Sequence, residues 1–339
     1  MAIQDGSLIR NGRYRIEKLL ARGGFGFVYL ALDNLARKRV VLKELNPALI
    51  SDVEVLRRFI REGRTMIRLS HPHIVRAKGM FKNRGNYYLV LEHLTGGALS
   101  DYTDRGRRLS LNKASEVAVA LCDALTYLHR SGIVHCDLNP SNILFDDQGR
   151  PKLTDLGIAH VPDDLVHRRW QTRGDFGPGT VLYMAPEQLA GVRDDPRVDQ
   201  YALGVILYQI LSGRLYLDFD LRNTPSVYAE NIERVKNDLP EPLPQLPPEV
   251  ADVILRALSK DPQDRYEDIE AFRQAFTDAW FLYKPAKRPK MRWTLPLLVR
   301  GRRRKRDDNR DWPQWVWQAL VAVNVLVMVI VALLLIGAA

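Results

Sequence analysis

The order of apolar and polar residues reads as strands over 14–20, 27–32, 40–45, 74–81 and 87–92, interrupted by one helical stretch over 53–69. From Asn112 onward helices dominate. Val117, Leu121, Leu125 and Leu128 recur at helical spacing with Ala118, Ala120 and Ala124 between them, so this helix is apolar nearly all round and is expected to be buried. Strands first and helices afterwards predict an α+β fold with segregated layers rather than a doubly wound sheet. No internal repeat is visible. Pro285, Pro289 and Pro296 among Lys and Arg mark a linker.

One further segment breaks the globular pattern. Residues 315–336 hold 22 positions without a charge, which as a helix reach about 33 Å against a hydrocarbon core of about 30 Å. Trp312, Trp315 and Trp317 stand at its start as an aromatic belt would, and a run of arginines precedes it, as expected of a cytoplasmic flank. The N-terminus lacks the apolar run of a signal peptide. Only residues 337–339 follow the span, leaving no room for an extracellular domain. The expectation is a single-pass cell-membrane anchor with everything else cytoplasmic.

Charge sharpens this picture. The 339 residues carry a net charge of +10, and residues 284–310 alone hold twelve Lys or Arg against two Asp. The rest of the chain has 38 basic and 38 acidic residues and is neutral in sum. Because the basic run borders the apolar span, it predicts contact with anionic lipid rather than nucleic acid. Asn324, near the middle of the span, either offers a hydrogen bond to a second copy, and so a homodimer, or stands as a lone tolerated polar residue. The two cysteines, Cys122 and Cys136, have no metal-ligand spacing and predict neither a disulfide framework nor a zinc site.

Four stations carry candidate chemistry. Leu20-Ala-Arg-Gly-Gly-Phe-Gly-Phe-Val28 lies between two predicted strands, where small residues let backbone amides close over phosphates. Lys43 follows on an apolar strand, and Glu62 on the next helix offers it an anionic partner. His135-Cys-Asp-Leu-Asn-Pro-Ser-Asn142 and Asp155-Leu-Gly157 place two carboxylates and a carboxamide on loops, hard oxygen ligands for Mg²⁺ with one carboxylate to spare. Met184-Ala-Pro-Glu187 completes the series.

Over residues 13 to about 275 the chain resembles a bacterial member of the eukaryotic-like Ser/Thr protein kinase family. The resemblance implies a bilobal fold, a strand-rich N-lobe (13–92) and a helical C-lobe (95–281). Around it lie a lead-in (1–12), a basic juxtamembrane linker (282–311), a transmembrane helix (312–336) and a short tail (337–339). It implies ATP with Mg²⁺, or Mn²⁺, as cofactors and protein substrates as partners. By that resemblance Leu20, Ala21, Gly23, Gly24, Gly26 and Val28 bind the nucleotide, Gly23, Gly26 and Val28 matching the phosphate-covering loop, and Lys43 contacts the α and β phosphates with Glu62 as its helix partner. Asp137 is the catalytic base, and Asn142 and Asp155 are the metal ligands. Leu91 is the gatekeeper before the hinge of Glu92, His93 and Leu94, while Val28, Val41 and Leu144 enclose the purine. Asp199 braces the catalytic loop and Arg265 pairs with Glu187.

Several positions depart from the family pattern. Ala21 replaces the first loop glycine, Val41 the usual Ala, and Leu156 the Phe after Asp155. Cys136 replaces the arginine that would hold a phosphorylated activation loop, so activity is expected to depend less on such phosphorylation. Thr172 is the candidate autophosphorylation site, and Thr180 is expected to bond the catalytic loop. Asn139 stands where the family has a lysine facing the γ-phosphate, a loss of charge worth on the order of 10² to 10³ in rate. The main expectation is phosphoryl transfer to Ser or Thr of proteins, with dual specificity open. The alternative is a pseudokinase, an ATP-binding scaffold or allosteric partner with weak or no catalysis.

Overall fold

The computed structural model describes residues 2–156, 181–222 and 224–282. The basic linker, the apolar span with Asn324, and Gly157, Thr172 and Thr180 lie outside the described residues. Among those described, no helix is long and apolar enough to cross a membrane.

The first lobe is an antiparallel sheet in the order β1-β2-β3-β4-β6-β5. Its strands are β1 (Leu8–Ile9), β2 (Tyr14–Gly23), β3 (Gly26–Asp33), β4 (Lys38–Leu45), β5 (Ala77–Asn83) and β6 (Asn86–Glu92). Successive side chains in a strand face opposite ways, and β4 uses both faces. Val40 and Leu42 join Tyr14, Ile16, Tyr29, Tyr88 and Val90 in a small core on the outer face. Glu44, on that same face, is buried and accepts from Tyr29 Oη at 3.0 Å, Tyr88 Oη at 2.7 Å and Asn86 Nδ2 at 2.8 Å. Between these positions Val41, Lys43 and Leu45 face the other way, toward helix α1 and the second lobe.

α1 (Val53–Arg68) begins at Asp52, whose carboxylate accepts from the amides of Glu54 and Val55. It buries Val55, Phe59, Glu62, Gly63 and Met66 on one stripe. Most of this stripe is apolar, so the ionised Glu62 needs the cation that β4 presents.

The second lobe is built on α3 (Leu111–Arg130) and α5 (Arg197–Ser212), with α2 (Ser100–Thr103), α4 (Pro186–Leu189), α6 (Pro225–Asn237), α7 (Pro248–Ala257) and α8 (Ile269–Leu282) around them. α3 buries Val117, Leu121, Leu125 and Leu128 as its periodicity predicts, and α5 is buried from Val198 to Ser212. A two-stranded hairpin, β7 (Ile143–Phe145) and β8 (Pro151–Leu153), follows α3 in sequence. Val75 donates to Leu153 O at 2.8 Å and Gly96 to Phe145 O at 2.8 Å, which fastens the hairpin to chain from the first lobe and from the segment after β6.

Candidate active site

β2 and β3 meet in a hairpin whose register pairs Gly23 with Gly26 and Ala21 with Val28. A Cβ on Gly26 would run into the Glu44 carbonyl oxygen, so the close approach of β3 to β4 requires glycine there. Gly23 has open space around it, and Leu20 and Ala21 are exposed beside it. The Gly24 carbonyl accepts from Asn46 Nδ2 at 2.9 Å and the Phe25 carbonyl from Asn46 N at 2.8 Å. Asn46 thus pins the hairpin tip. Sequence reading missed it, although Asn-Pro directly after a strand is a turn signal.

Behind the hairpin, Val28 is in register with Lys43, and Val41 with Leu91. Val28, Val41, Leu94 and Leu144 are half-buried and Leu91 is buried, giving apolar surface on both sides of the cleft. The Glu92 side chain accepts from Lys152 Nζ at 2.6 Å and from Arg76 N at 2.9 Å, so the segment after β6 is held to both lobes.

Lys43 Nζ lies 2.8 Å from Asp155 Oδ1 and 3.7 Å from Glu62 Oε1. Burial pulls the Lys43 ammonium down, but Asp155 and Glu62 more than offset it, and its pKa rises above the ordinary lysine value. Burial likewise opposes ionisation of Asp155, yet Lys43 prevails and holds its carboxyl below the usual range. For Glu62 burial prevails and pushes the carboxyl up.

The loop from His135 to Asn142 is tied down chiefly by Asp199 of α5. This fully buried carboxylate accepts from His135 N at 2.8 Å and Cys136 N at 2.8 Å, and pairs with His129 Nε2 at 2.8 Å. Cys136 has φ 60° and Asp155 φ 53°, left-handed conformations that cost about 1–2 kcal/mol for a residue with a Cβ. The Asp199 bond holds the first, and Lys43 sits against the second. Burial pushes the Cys136 thiol up to about 12, and its Sγ donates to Arg193 O at 3.1 Å, so it is a packing group rather than a nucleophile. Gln188 of α4 donates to the Cys136 carbonyl, and sequence reading missed this link as well.

Asp137 is held by two carboxamides. Asn142 Nδ2 donates to its Oδ2 at 3.0 Å and its carbonyl at 2.8 Å. Asn139 Nδ2 donates to Oδ1 at 3.3 Å and to the same carbonyl at 3.1 Å, while its own Oδ1 accepts from Ser141 N at 3.0 Å. The Asn139 side chain is therefore folded onto Asp137 and caps the turn Pro140–Asn142. Burial pushes the Asp137 carboxyl up against these donors.

Asn142 donates with its amide nitrogen, its side-chain oxygen has no hydrogen-bond partner among the described residues and so can face a cation, and Thr154 N donates to the Asn142 backbone carbonyl at 2.9 Å, next to Asp155. Among the described residues no group of three or more His, Cys, Asp or Glu is arranged to hold a metal. Two oxygen donors fit Mg²⁺, which takes its remaining ligands from phosphate and water. Further from the cleft, Arg265 Nη1 and Nη2 meet Glu187 Oε1 and Oε2 at 2.6 and 2.8 Å, the pairing expected from sequence.

Residues 14–281 match the protein kinase domain model. The chain belongs to the protein kinase domain family. It is 36% identical over 270 residues to the serine/threonine-protein kinase PknA of Mycobacterium tuberculosis, covering 78% of this chain and 61% of that one. It is 33% identical over 260 residues to the serine/threonine-protein kinase PrkC of Bacillus subtilis, covering 77% and 39%. The matched region thus spans less than two-thirds of either relative. The crystal structure of the M. tuberculosis PknI kinase domain superposes with a TM-score of 0.62 at 27% identity, covering 83% of this chain and 100% of that one.

Proposed function

We propose that this protein is a membrane-anchored, cytoplasmic Ser/Thr protein kinase that catalyses transfer of the γ-phosphoryl group of ATP to hydroxyls of protein substrates. The observation that carries the reading is the convergence of Lys43, Glu62 and Asp155 with Asp137 and Asn142 around one cleft. Both relatives described above are named serine/threonine-protein kinases, which favours transfer over the pseudokinase alternative.

Mg-ATP supplies the phosphoryl group and the cation that neutralises it. The hairpin at Gly23 to Gly26 lends backbone amides to the phosphates, and the half-buried Val28, Val41 and Leu144 exclude water from the purine. Lys43 places a fixed positive charge on the phosphate side, kept protonated by Asp155 and Glu62. Asn142 and Asp155 offer oxygens to the metal. Asp137, aimed by its two carboxamide bonds, receives the proton of the substrate hydroxyl and orients it for in-line attack. The membrane part of the proposal rests on the 22-residue uncharged span and its basic flank.

The test is transfer of labelled γ-phosphate by the full-length chain with Mg²⁺ or Mn²⁺, beside Asp137→Asn. Labelling that disappears in the variant supports the reading. ATP binding without any labelling, in wild type and in Asn139→Lys alike, would establish the pseudokinase.

A further inference from the structure

α1 turns two contrasting faces in opposite directions. Its buried stripe ends in Glu62 against Lys43. At 100° per residue, the exposed Arg57, Arg61, Arg64 and Arg68 fall within an arc of about 60° on the far side of the helix. Arg58 pairs with Glu54, but those four have no ion-pair or hydrogen-bond partner among the described residues. Like charges three and four positions apart disfavour a helix, so the stripe stands against its own repulsion.

The stripe belongs to a wider polarity that the net charge hides. Residues 1–94 hold 18 Lys or Arg against 8 Asp or Glu, whereas residues 95–283 hold 20 against 29. The two excesses nearly cancel, which is why the sum is neutral. Near an anionic surface the first lobe is attracted and the second repelled, so the domain is oriented as well as bound. Two apolar side chains, Val53 and Ile67, are 59% and 41% exposed along one edge of the stripe. Guanidinium groups beside exposed apolar side chains match a bilayer interface, which offers phosphate and carboxylate at one depth and acyl chains just below.

We infer that the outer face of α1 docks on an anionic lipid surface, Arg57, Arg61, Arg64 and Arg68 on the headgroups and Val53 and Ile67 at the acyl boundary. The inference rests on the proposed membrane anchor, which holds the bilayer within reach of the domain through residues 282–311 and so raises its effective concentration. Screening over about 10 Å confines the attraction to side chains at the contact, which favours a stripe over diffuse charge.

The test uses the full-length chain reconstituted in phosphatidylcholine vesicles with and without phosphatidylserine, plus a quencher on the lipid headgroup. Cys122 and Cys136 are both buried, so a dye on Ser51→Cys, just before α1, reports contact, and one on Ser226→Cys of α6 serves as the control. The expected result is quenching at position 51 only with phosphatidylserine, none at position 226, and reversal by salt. Changing the four arginines to Gln lowers the docking equilibrium by several hundredfold, at about fivefold for each residue, with circular dichroism unchanged. Equal quenching on both vesicles, or quenching that survives the four changes, overturns the inference. A dye at position 51 whose emission responds to polyglutamate but not to phosphatidylserine vesicles overturns it in favour of an acidic protein partner. A carbonate wash that strips the chain from phosphatidylcholine vesicles refutes the anchor alone, since phosphatidylserine-dependent quenching is still read on unanchored protein.

Discussion

On one side of the cleft Lys43 stands between two carboxylates, at 2.8 Å from Asp155 and 3.7 Å from Glu62; on the other, Asp137 stands between two carboxamides, at 3.0 Å from Asn142 and 3.3 Å from Asn139. The first arrangement fixes position and charge together, because each ion sustains the ionisation of the other in a partly dry site. The second fixes position alone. Asn139 reproduces the hydrogen bonding of a loop brace, with Asp199 and Gln188 holding the backbone beneath it, but it brings no positive charge toward the transferred group. On the proposed function, the difference separates two contributions to phosphoryl transfer, orientation and electrostatic stabilisation, and places them on different walls of the cleft.

The strongest way to break this comparison is Asp137→Asn. Loss of the proton acceptor should lower kcat by on the order of 10² to 10⁴ while nucleotide affinity and Tm stay near wild type. If transfer survives, Asp137 is not the acceptor. Next comes Lys43→Met, expected to cost about 10² to 10³ in rate. It should also let the Asp155 pKa climb back toward the ordinary range, read by NMR titration of the carboxyl. Asn139→Lys sharpens the contrast in the opposite direction. Restoring a cation on the amide wall should raise kcat by on the order of 10 to 10² in phosphate-transfer assays, and an unchanged rate would mean that wall needs no charge.

The pH profile follows from the same pair of walls. Burial raises the Asp137 carboxyl, so activity should fall on acidification at a pH above the ordinary aspartate range. Asn139→Lys favours the carboxylate and moves that limb to lower pH. For stability the sign reverses. A raised folded-state pKa means the folded protein holds the proton longer, so this group costs stability progressively as pH rises from the ordinary value to the raised one. The smallest effect expected is that of Gln188→Ala, about 1 to 3 kcal/mol from the unpaired Cys136 carbonyl. Its signature is a higher KM for protein substrate at near-normal ATP affinity, with Gln188→Glu failing to rescue because a carboxylate cannot donate.

Much of this is legible in the residue pattern alone. The strand expected over 27–32 is found at Gly26–Asp33 and the helix expected over 53–69 at Val53–Arg68, because apolar periodicity and an Asp cap both mark them. The strand expected from Ile74 begins only at Ala77. Residues 74 and 75 instead join Leu153 of the hairpin, Ile74 by a bridge and Val75 by a backbone bond, and a partner so distant in sequence leaves no local pattern. β1 is two residues long and pairs through its backbone, too short for alternation to register. Among the site residues, those that act through charge are visible in motifs. Asn46 and Gln188 act by donating to backbone carbonyls; the Asn-Pro pair marks a turn at Asn46 but not its bond, and neither residue type nor spacing betrays the role of Gln188. The charge polarity between the lobes escapes for another reason, since a sum over the chain erases it.

Arg265 carries a consequence for how the second lobe comes together. Its guanidinium spends five donor contacts on Glu187, Arg197 O, Ser259 O and Lys260 O, joining chain segments up to 78 residues apart. Each of those acceptors takes one or two of the guanidinium's donors, and together they occupy all of its nitrogens. Contacts of such long range form after the local helices in a folding reaction, and interactions made after the transition state act mainly on the rate of coming apart. Arg265 is therefore expected to act as a kinetic latch: Arg265→Lys should raise the unfolding rate more than it lowers the folding rate, which stopped-flow folding and unfolding measurements check.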